Sequence, residues 1–152
     1  MMYENEMELI FDSYSANEAF ARVAVAAFMT QLNPTLEEVA DVKTAVSEAV
    51  TNAIIHGYEE KVEKIWLRCR YVGQVLYIEV EDQGKGIADI PKAMEPLFTT
   101  KPDLERSGMG FSFMEAFMDE VQVESMPERK GTLVRMKKEI GKGRELWTTQ
   151  SI

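Results

Sequence analysis

The sequence predicts an α+β fold, a two-layer α/β sandwich with helices on one face of a mixed sheet. Three observations lead there. Strand-like and helix-like periodicities fall into blocks ordered strand, helix, helix, two strands, long loop, helix, two strands. The first two helical blocks open on capping signatures, and the strand blocks are short β-branched runs bounded by turn residues. The chain has 152 residues, 45% of them apolar, which suits one domain of about 100 to 200 residues with a single core.

Residues 8 to 14 read as a short strand. Ser15-Ala-Asn-Glu18 then matches the capping box S-x-x-E and predicts a helix over 16–31. Thr35-Leu-Glu-Glu38, after Asn33-Pro34, is a second capping box. Behind it Leu36, Val39, Ala40, Val42, Val46, Ala49, Val50 and Ala53 recur at helical spacing, so this helix is expected to stop at Gly57. Ile65 to Val72 and Val75 to Glu81 are β-branched and aromatic runs separated by Gly73-Gln74, the mark of a hairpin. From Asp82 to Gly110, glycines, Pro91, Pro96, Pro102 and scattered charges show no sustained periodicity, and a loop of that length in a compact domain is usually functional or mobile. Phe111 to Glu120 reads as a helix, and Val121 to Met126 and Thr132 to Lys138 as a closing pair of strands. The core of the single domain 1–152 is therefore about 6–140, and the tail 141–152 is expected to fray.

Charge narrows the function. Seventeen basic against 26 acidic side chains leave a net charge of −9, and no run of Lys or Arg exists. Phosphate neutralisation needs clustered cations, so direct nucleic-acid binding is not expected, and an anionic membrane would repel the chain. Apolar stretches such as Val23 to Met29 fall short of the 18 or so residues of a spanning helix, and the acidic start from Tyr3 to Glu8 is no signal peptide, so a cytoplasmic protein is expected. One cysteine, Cys69, and one histidine, His56, leave no internal disulfide and no Cys/His zinc cluster, so any metal must use oxygen ligands.

On the second helix Asp41, Thr44, Glu48, Asn52 and His56 follow one another at spacings of three and four and form one polar stripe. An amphipathic helix needs such a stripe for water alone. Asn52 departs from that pattern, because Asn is a poor former of helix interiors and Ala53-Ile54-Ile55 set it beside apolar surface. Glu48 and Asn52, one turn apart, can aim two oxygens into one small volume, as a carboxylate base beside a Mg²⁺ ligand would. In Glu81-Asp82-Gln83-Gly84-Lys85-Gly86-Ile87 a strand ends in an acidic residue followed by spaced glycines. That is either an ordinary turn or a backbone that a ligand can approach closely, with Asp82 accepting from an exocyclic amine such as that of adenine. Ser107-Gly108-Met109-Gly110-Phe111 places glycines before a helix whose free N–H groups suit a phosphate. Neither a Walker pattern nor a strand-linked G-x-G-x-x-G occurs.

The set of motifs resembles the Bergerat-type ATP-binding domain shared by gyrase-type ATPases, heat-shock-90 chaperones, MutL-type repair proteins and sensor histidine kinases. The order matches: E-x-x-x-N (Glu48, Asn52), D-x-G-x-G (Asp82, Gly84, Gly86), a lid, G-x-G at a helix start (Gly108, Gly110) and a late Gly-Thr (Gly131, Thr132). The resemblance implies that Asn52 binds Mg²⁺, that Asp82 binds the adenine amino group, and that Gly84, Gly86, Gly108, Gly110 and Thr132 line the nucleotide under a mobile ATP lid. Lys101 and Arg106 in that lid are either contacts to the terminal phosphate or solvated loop charges.

Within the family, sensor kinases phosphorylate a His on a separate helix, and here His56 stands four residues beyond Asn52. Gyrase and chaperone members usually carry an Asp shortly after the motif Asn, where this chain has Ala, Ile, Ile, His and Gly. The stretch Ser47 to Gly57 instead looks like the small anti-sigma factor serine kinases, and Glu95 to Phe111 is very similar to the lid of one from sporulating bacteria. The similarity covers about 6 to 140, with Ala88, where Pro is common, and the tail as departures. It implies a protein serine kinase that also sequesters a sporulation sigma factor and uses Mg-ATP to phosphorylate a Ser of an anti-anti-sigma protein. Glu48 would be general base or orienter, Glu18 and Arg22 would lie on the partner-binding surface, and two copies would pair as a homodimer through the sheet region. Other accounts are an ATP-gated binding switch, which would not require Glu48, and an ATPase clamp, whose transducer domain 152 residues cannot hold. For Glu18 and Arg22 the alternative is a capping box with Ser15 and a surface ion pair.

Overall fold

The structure is a computed structural model that describes residues 3–59, 61–87, 90–95, 110–125 and 131–142. In chain order it runs β1 (Glu4–Asp12), α1 (Ala16–Met29), α2 (Leu36–Asn52), β2 (Lys64–Val72), β3 (Val75–Asp82), α3 (Ile90–Ala93), α4 (Gly110–Phe117), β4 (Glu120–Ser125) and β5 (Thr132–Glu139). A 3₁₀ turn over Thr30–Leu32 follows α1, and Asn33, in the left-handed region at φ 56°, turns the chain into Pro34. The short helix α3 lies inside the stretch expected to lack regular structure.

The five strands lie in the order β1-β2-β3-β5-β4. Every pairing is antiparallel, which corrects the expected mixed sheet. The reason lies in the connections. Two helices between β1 and β2 carry the chain down and back, so β2 starts where β1 ended. β3 and β4 do run the same way, but β5 inserts between them. β1 also begins four residues before the expected strand, its acidic half pairing from Glu4 opposite Val72 onward.

Alternation decides which face the helices cover. In β2, Ile65, Leu67, Cys69 and Tyr71 are buried while Trp66, Arg68 and Arg70 point to the open face. In β3, Leu76, Ile78 and Val80 are buried in the same way. Val25 and Met29 of α1, Val42, Val46 and Val50 of α2 and Met114 of α4 close the core from above, with α2 packed between α1 and α4. The open face carries an ion network in which Arg68 meets Glu8, Glu79 and Glu81, and Arg135 meets Glu79 and Glu124.

The two capping boxes differ in outcome. Thr35 is extended (φ −75°, ψ 163°), its hydroxyl accepts the Glu38 N–H at 3.1 Å, and Glu38 Oε1 accepts the Thr35 N–H at 2.9 Å. Glu38 Oε2 also takes the Gly141 N–H at 2.8 Å and so ties the end of the sheet to the start of α2. At Ser15 the backbone is already helical (φ −56°, ψ −33°), and its side chain makes no capping bond, because a cap must leave the helix to reach back to the first turn. Asn17 instead anchors this end by donating to the Asp12 carbonyl at 2.8 Å.

Candidate functional site

The site is assembled where α2 runs out beside the end of β3. After Asn52 the helix widens into a π-turn over Ala53–Gly57, closed by the Tyr58 N–H on the Ala53 carbonyl at 3.1 Å. This corrects the expectation of a regular helix to Gly57. π-turns of one cycle are frequent at functional positions because they re-aim side chains without ending the helix. Glu48 and Asn52 precede the turn on one face of α2, both partly buried. The Nδ2 of Asn52 is buried with no hydrogen-bond partner among the described residues, as is the hydroxyl of Ser47. Buried polar groups are normally satisfied, so the Asn52 nitrogen marks a side chain that the fold itself has not used up.

Asp82 closes β3 opposite Thr132, and both are buried, Asp82 at 5% exposure. Burial pushes its carboxyl up to about 6. The backbones of Gly84 and Thr132 hydrogen-bond to it and work against that rise, while the charge of Glu81 adds to it. Two glycines make room for the carboxylate. A Cβ on Gly57 would lie 2.7 Å from Asp82 Oδ1, and one on Gly84 would lie 1.9 Å from the Gly57 carbonyl oxygen. The π-turn and the D-x-G loop therefore meet backbone to backbone over a buried acid. Gly86 lies further along the same loop, and Gly110 is buried at the first residue of α4, which packs on α2.

Of the residues singled out in the sequence, Glu48, Asn52, Asp82, Gly84, Gly86, Gly110 and Thr132 fall on the elements that converge here. Lys101, Arg106, Gly108 and the lid over 96–109 lie outside the described residues. Glu18 and Arg22 are on α1. Their side chains stand 3.6 Å apart, Arg22 is 42% exposed, and Phe20 and Val23 beside it are more than half exposed. Gly57 is therefore more than the helix stop its sequence position suggests: it lies against Asp82 and Gly84, a pairing of distant residues that no local pattern carries. Among the described residues no cluster of three or more His, Cys, Asp or Glu could hold a metal. No helix of the described residues is long and apolar enough to cross a membrane. A concavity of about 780 Å³ lies on the open face of the sheet, lined by residues such as Arg68, Arg70, Tyr77 and Arg135, and none of the site residues borders it.

Residues 13–138 match the family described as Histidine kinase-like ATPase domain. The chain is 62% identical over 141 residues to an anti-sigma F factor of Thermoanaerobacter sp., a match covering 93% of this chain and 98% of that one. An anti-sigma F factor of Clostridium botulinum is 64% identical over 138 residues (90% and 96% of the two chains), and one of Bacillus subtilis is 54% identical over 144 (94% and 98%). Among solved structures, the histidine kinase domain of an Erythrobacter litoralis blue-light activated histidine kinase superposes with a TM-score of 0.52 at 18% identity, over 85% of this chain and 63% of that one, a likeness of fold. A kinase-like ATPase domain across most of the length, together with relatives matched almost end to end, identifies the chain as a member of the anti-sigma F factor family.

Proposed function

We propose that this protein binds Mg-ATP at the junction of α2 and β3, phosphorylates a serine of an anti-anti-sigma protein, and holds a sporulation sigma factor away from RNA polymerase. The observation that carries the nucleotide reading is Asp82, an acid buried at the end of β3 in a cradle of glycine backbone. A carboxylate kept in such a place at the expense of a raised pKa suits an amino donor arriving from a ligand. Adenine has that donor and guanine lacks it at the corresponding position, so ATP should be preferred over GTP.

Asn52 fits a Mg²⁺ ligand. Mg²⁺ takes one or two protein oxygens and fills its octahedron with water and phosphate oxygens, so one amide oxygen beside a bound nucleotide is enough to hold it. The ion would neutralise charge on the phosphates as the phosphoryl group moves. Glu48, one turn before Asn52 on the same helix, would accept a proton from, or orient, an incoming serine hydroxyl. Gly110 at the start of α4 supplies backbone N–H groups near a phosphate, and Lys101 and Arg106 would contact its terminal oxygens. Arg22, exposed between Phe20 and Val23 on α1, offers an Arg flanked by apolar surface, the composition of a protein-binding hot spot for both partners. The open sheet face, with its charge network and concavity, is the surface through which two copies would pair as a homodimer. Incubating the protein with radiolabelled ATP and an anti-anti-sigma protein tests the reaction: label on an acceptor serine is expected, and ATP binding without transfer would favour the ATP-gated switch instead.

A further inference from the structure

The loop that follows Asp82 has no regular secondary structure, yet its backbone is almost entirely committed. The Gln83 N–H donates to the Tyr58 hydroxyl at 2.7 Å, Gly84 to Asp82 Oδ1 at 2.9 Å, Lys85 to the Gly57 carbonyl at 3.0 Å and Ile87 to the Ser125 hydroxyl at 2.6 Å. These amides face inward, so the loop cannot serve as an anion nest with them. It acts as a wall whose position is set by its anchors. Two of the anchors belong to the site already described, Asp82 itself and Gly57. The other two are side-chain hydroxyls 25 and 38 residues away in sequence.

Both hydroxyls have their proton engaged elsewhere. Tyr58 is buried at 7% exposure and donates to the Lys64 carbonyl at the start of β2. Ser125 donates to the Gly131 carbonyl at 3.1 Å, next to Thr132. Each therefore presents a lone pair to a loop N–H, a role that neither Phe nor Ala can fill. The amide that Tyr58 holds is the peptide unit joining Asp82 to Gln83, so this bond fixes the plane from which the Asp82 side chain departs. Ser125 fixes the far end of the same loop and packs against Gly86, where an added Cβ would lie 2.7 Å from its oxygen.

We propose that Tyr58 and Ser125 are positioning residues for base recognition, two hydroxyl clamps that hold the 83–87 loop so that Asp82 meets an adenine amino group in register. The proposal rests on the reading of Asp82 as the adenine-binding residue. The test is calorimetric titration of the full chain, as parent, Tyr58→Phe and Ser125→Ala, with ATP and with GTP at several Mg²⁺ concentrations, alongside the thermal midpoint of each. Each variant should lose about tenfold in ATP affinity, the size expected when the displaced loop costs the hydrogen bond between Asp82 and the adenine amino group. GTP binding should stay at its weak parent value, so the ATP-to-GTP ratio falls, and the Mg²⁺ dependence should remain parent-like because Asn52 sits on another element. A parent that prefers ATP together with two variants that keep its full preference overturns the proposal. So does a variant that loses ATP and GTP in proportion as its thermal midpoint drops, since that is a purely structural role. A parent that does not distinguish ATP from GTP overturns the Asp82 reading, and the clamps with it.

Discussion

Lowering the pH from about 8 to about 5 should weaken ATP binding and, through the same carboxyl group, favour the folded state. Asp82 is 5% exposed, and burial raises its carboxyl from 3.8 to about 6. In the proposed role an adenine amino group would donate to the carboxylate form, so a bound nucleotide would pull the value back down. Above about pH 7 the group is already ionised and affinity is flat. Below about 6 a proton must leave before the base can bind, and affinity then falls about tenfold per pH unit, reaching a loss of roughly elevenfold at about pH 5.

Stability moves the other way. A carboxyl whose folded value lies above its unfolded value contributes stability that is fully present below the unfolded value and is lost as the pH rises through the folded one. The gap between 3.8 and about 6 corresponds to roughly 3 kcal/mol. Other carboxylates pull in the opposite sense: Glu79, although burial opposes it, is held below its ordinary range by Arg68 and Arg135. The assay therefore compares the parent with Asp82→Asn, which keeps the shape, titrates no proton there and sees the same ionisation of the nucleotide phosphates. The variant should bind ATP more weakly at high pH by about 1 to 3 kcal/mol, the cost of an unpaired buried donor, and should lack the parent's fall below pH 6. Parallel loss of affinity by parent and variant would refute the assignment, as would a urea-unfolding difference between them that does not change across the same range.

Three further outcomes follow from the proposed roles. Glu48→Gln keeps size but removes the carboxylate, so label transfer to the acceptor should fall by about 10² to 10⁴-fold with calorimetric ATP affinity little changed, and equal losses in both would count against a base or orienter. Asn52→Ala should weaken ATP binding only when Mg²⁺ is present; superimposable titrations across Mg²⁺ concentrations would remove it from the metal site. Arg22→Ala should weaken binding of both the sigma factor and the anti-anti-sigma protein by about 2 kcal/mol or more while ATP affinity and thermal midpoint stay in place, because its pair with Glu18 is long, at 3.6 Å, and only partly buried and so contributes little; parent-like affinity for both partners would return it to the plain surface.

What the sequence made legible was local. The second helix announced itself twice, by a capping box and by apolar residues at helical spacing, and both signals hold because they involve residues within one turn of each other. The same spacing at Ser15 misled, since S-x-x-E says nothing about whether the first residue has left the helix, and here it has not. The mixed sheet was misjudged for a similar reason: strand content is written in alternation, whereas the insertion of β5 between β3 and β4 depends on which distant strands pair. The motif positions Asp82, Gly84 and Gly86 could be picked out as a loop suited to a ligand, but the groups that hold that loop could not. Tyr58 and Ser125 are single hydroxyls in ordinary surroundings, and their bonds span dozens of residues.

The site also has an energetic signature that a structural junction would not keep. At neutral pH the buried Asp82 carboxylate works against folding, and Asn would fill the same space without a charge. Beside it, Gly57 and Gly84 give up the side chains that would otherwise fill the junction, and the helix that leads there ends in a π-turn in place of a regular close. One turn earlier Asn52 leaves a buried nitrogen unsatisfied among the described residues. Each feature costs stability by itself, and all of them converge where the end of α2 meets the end of β3. Interactions that oppose folding persist together where a ligand supplies further partners: the Asn52 amide nitrogen has none among the described residues, and the buried Asp82 carboxylate has lone pairs beyond those that the Gly84 and Thr132 amides occupy. A nucleotide base at one end and a hydrated cation with phosphate oxygens at the other would meet both needs at once, so bound Mg-ATP should raise the thermal midpoint more than the base alone or the metal alone.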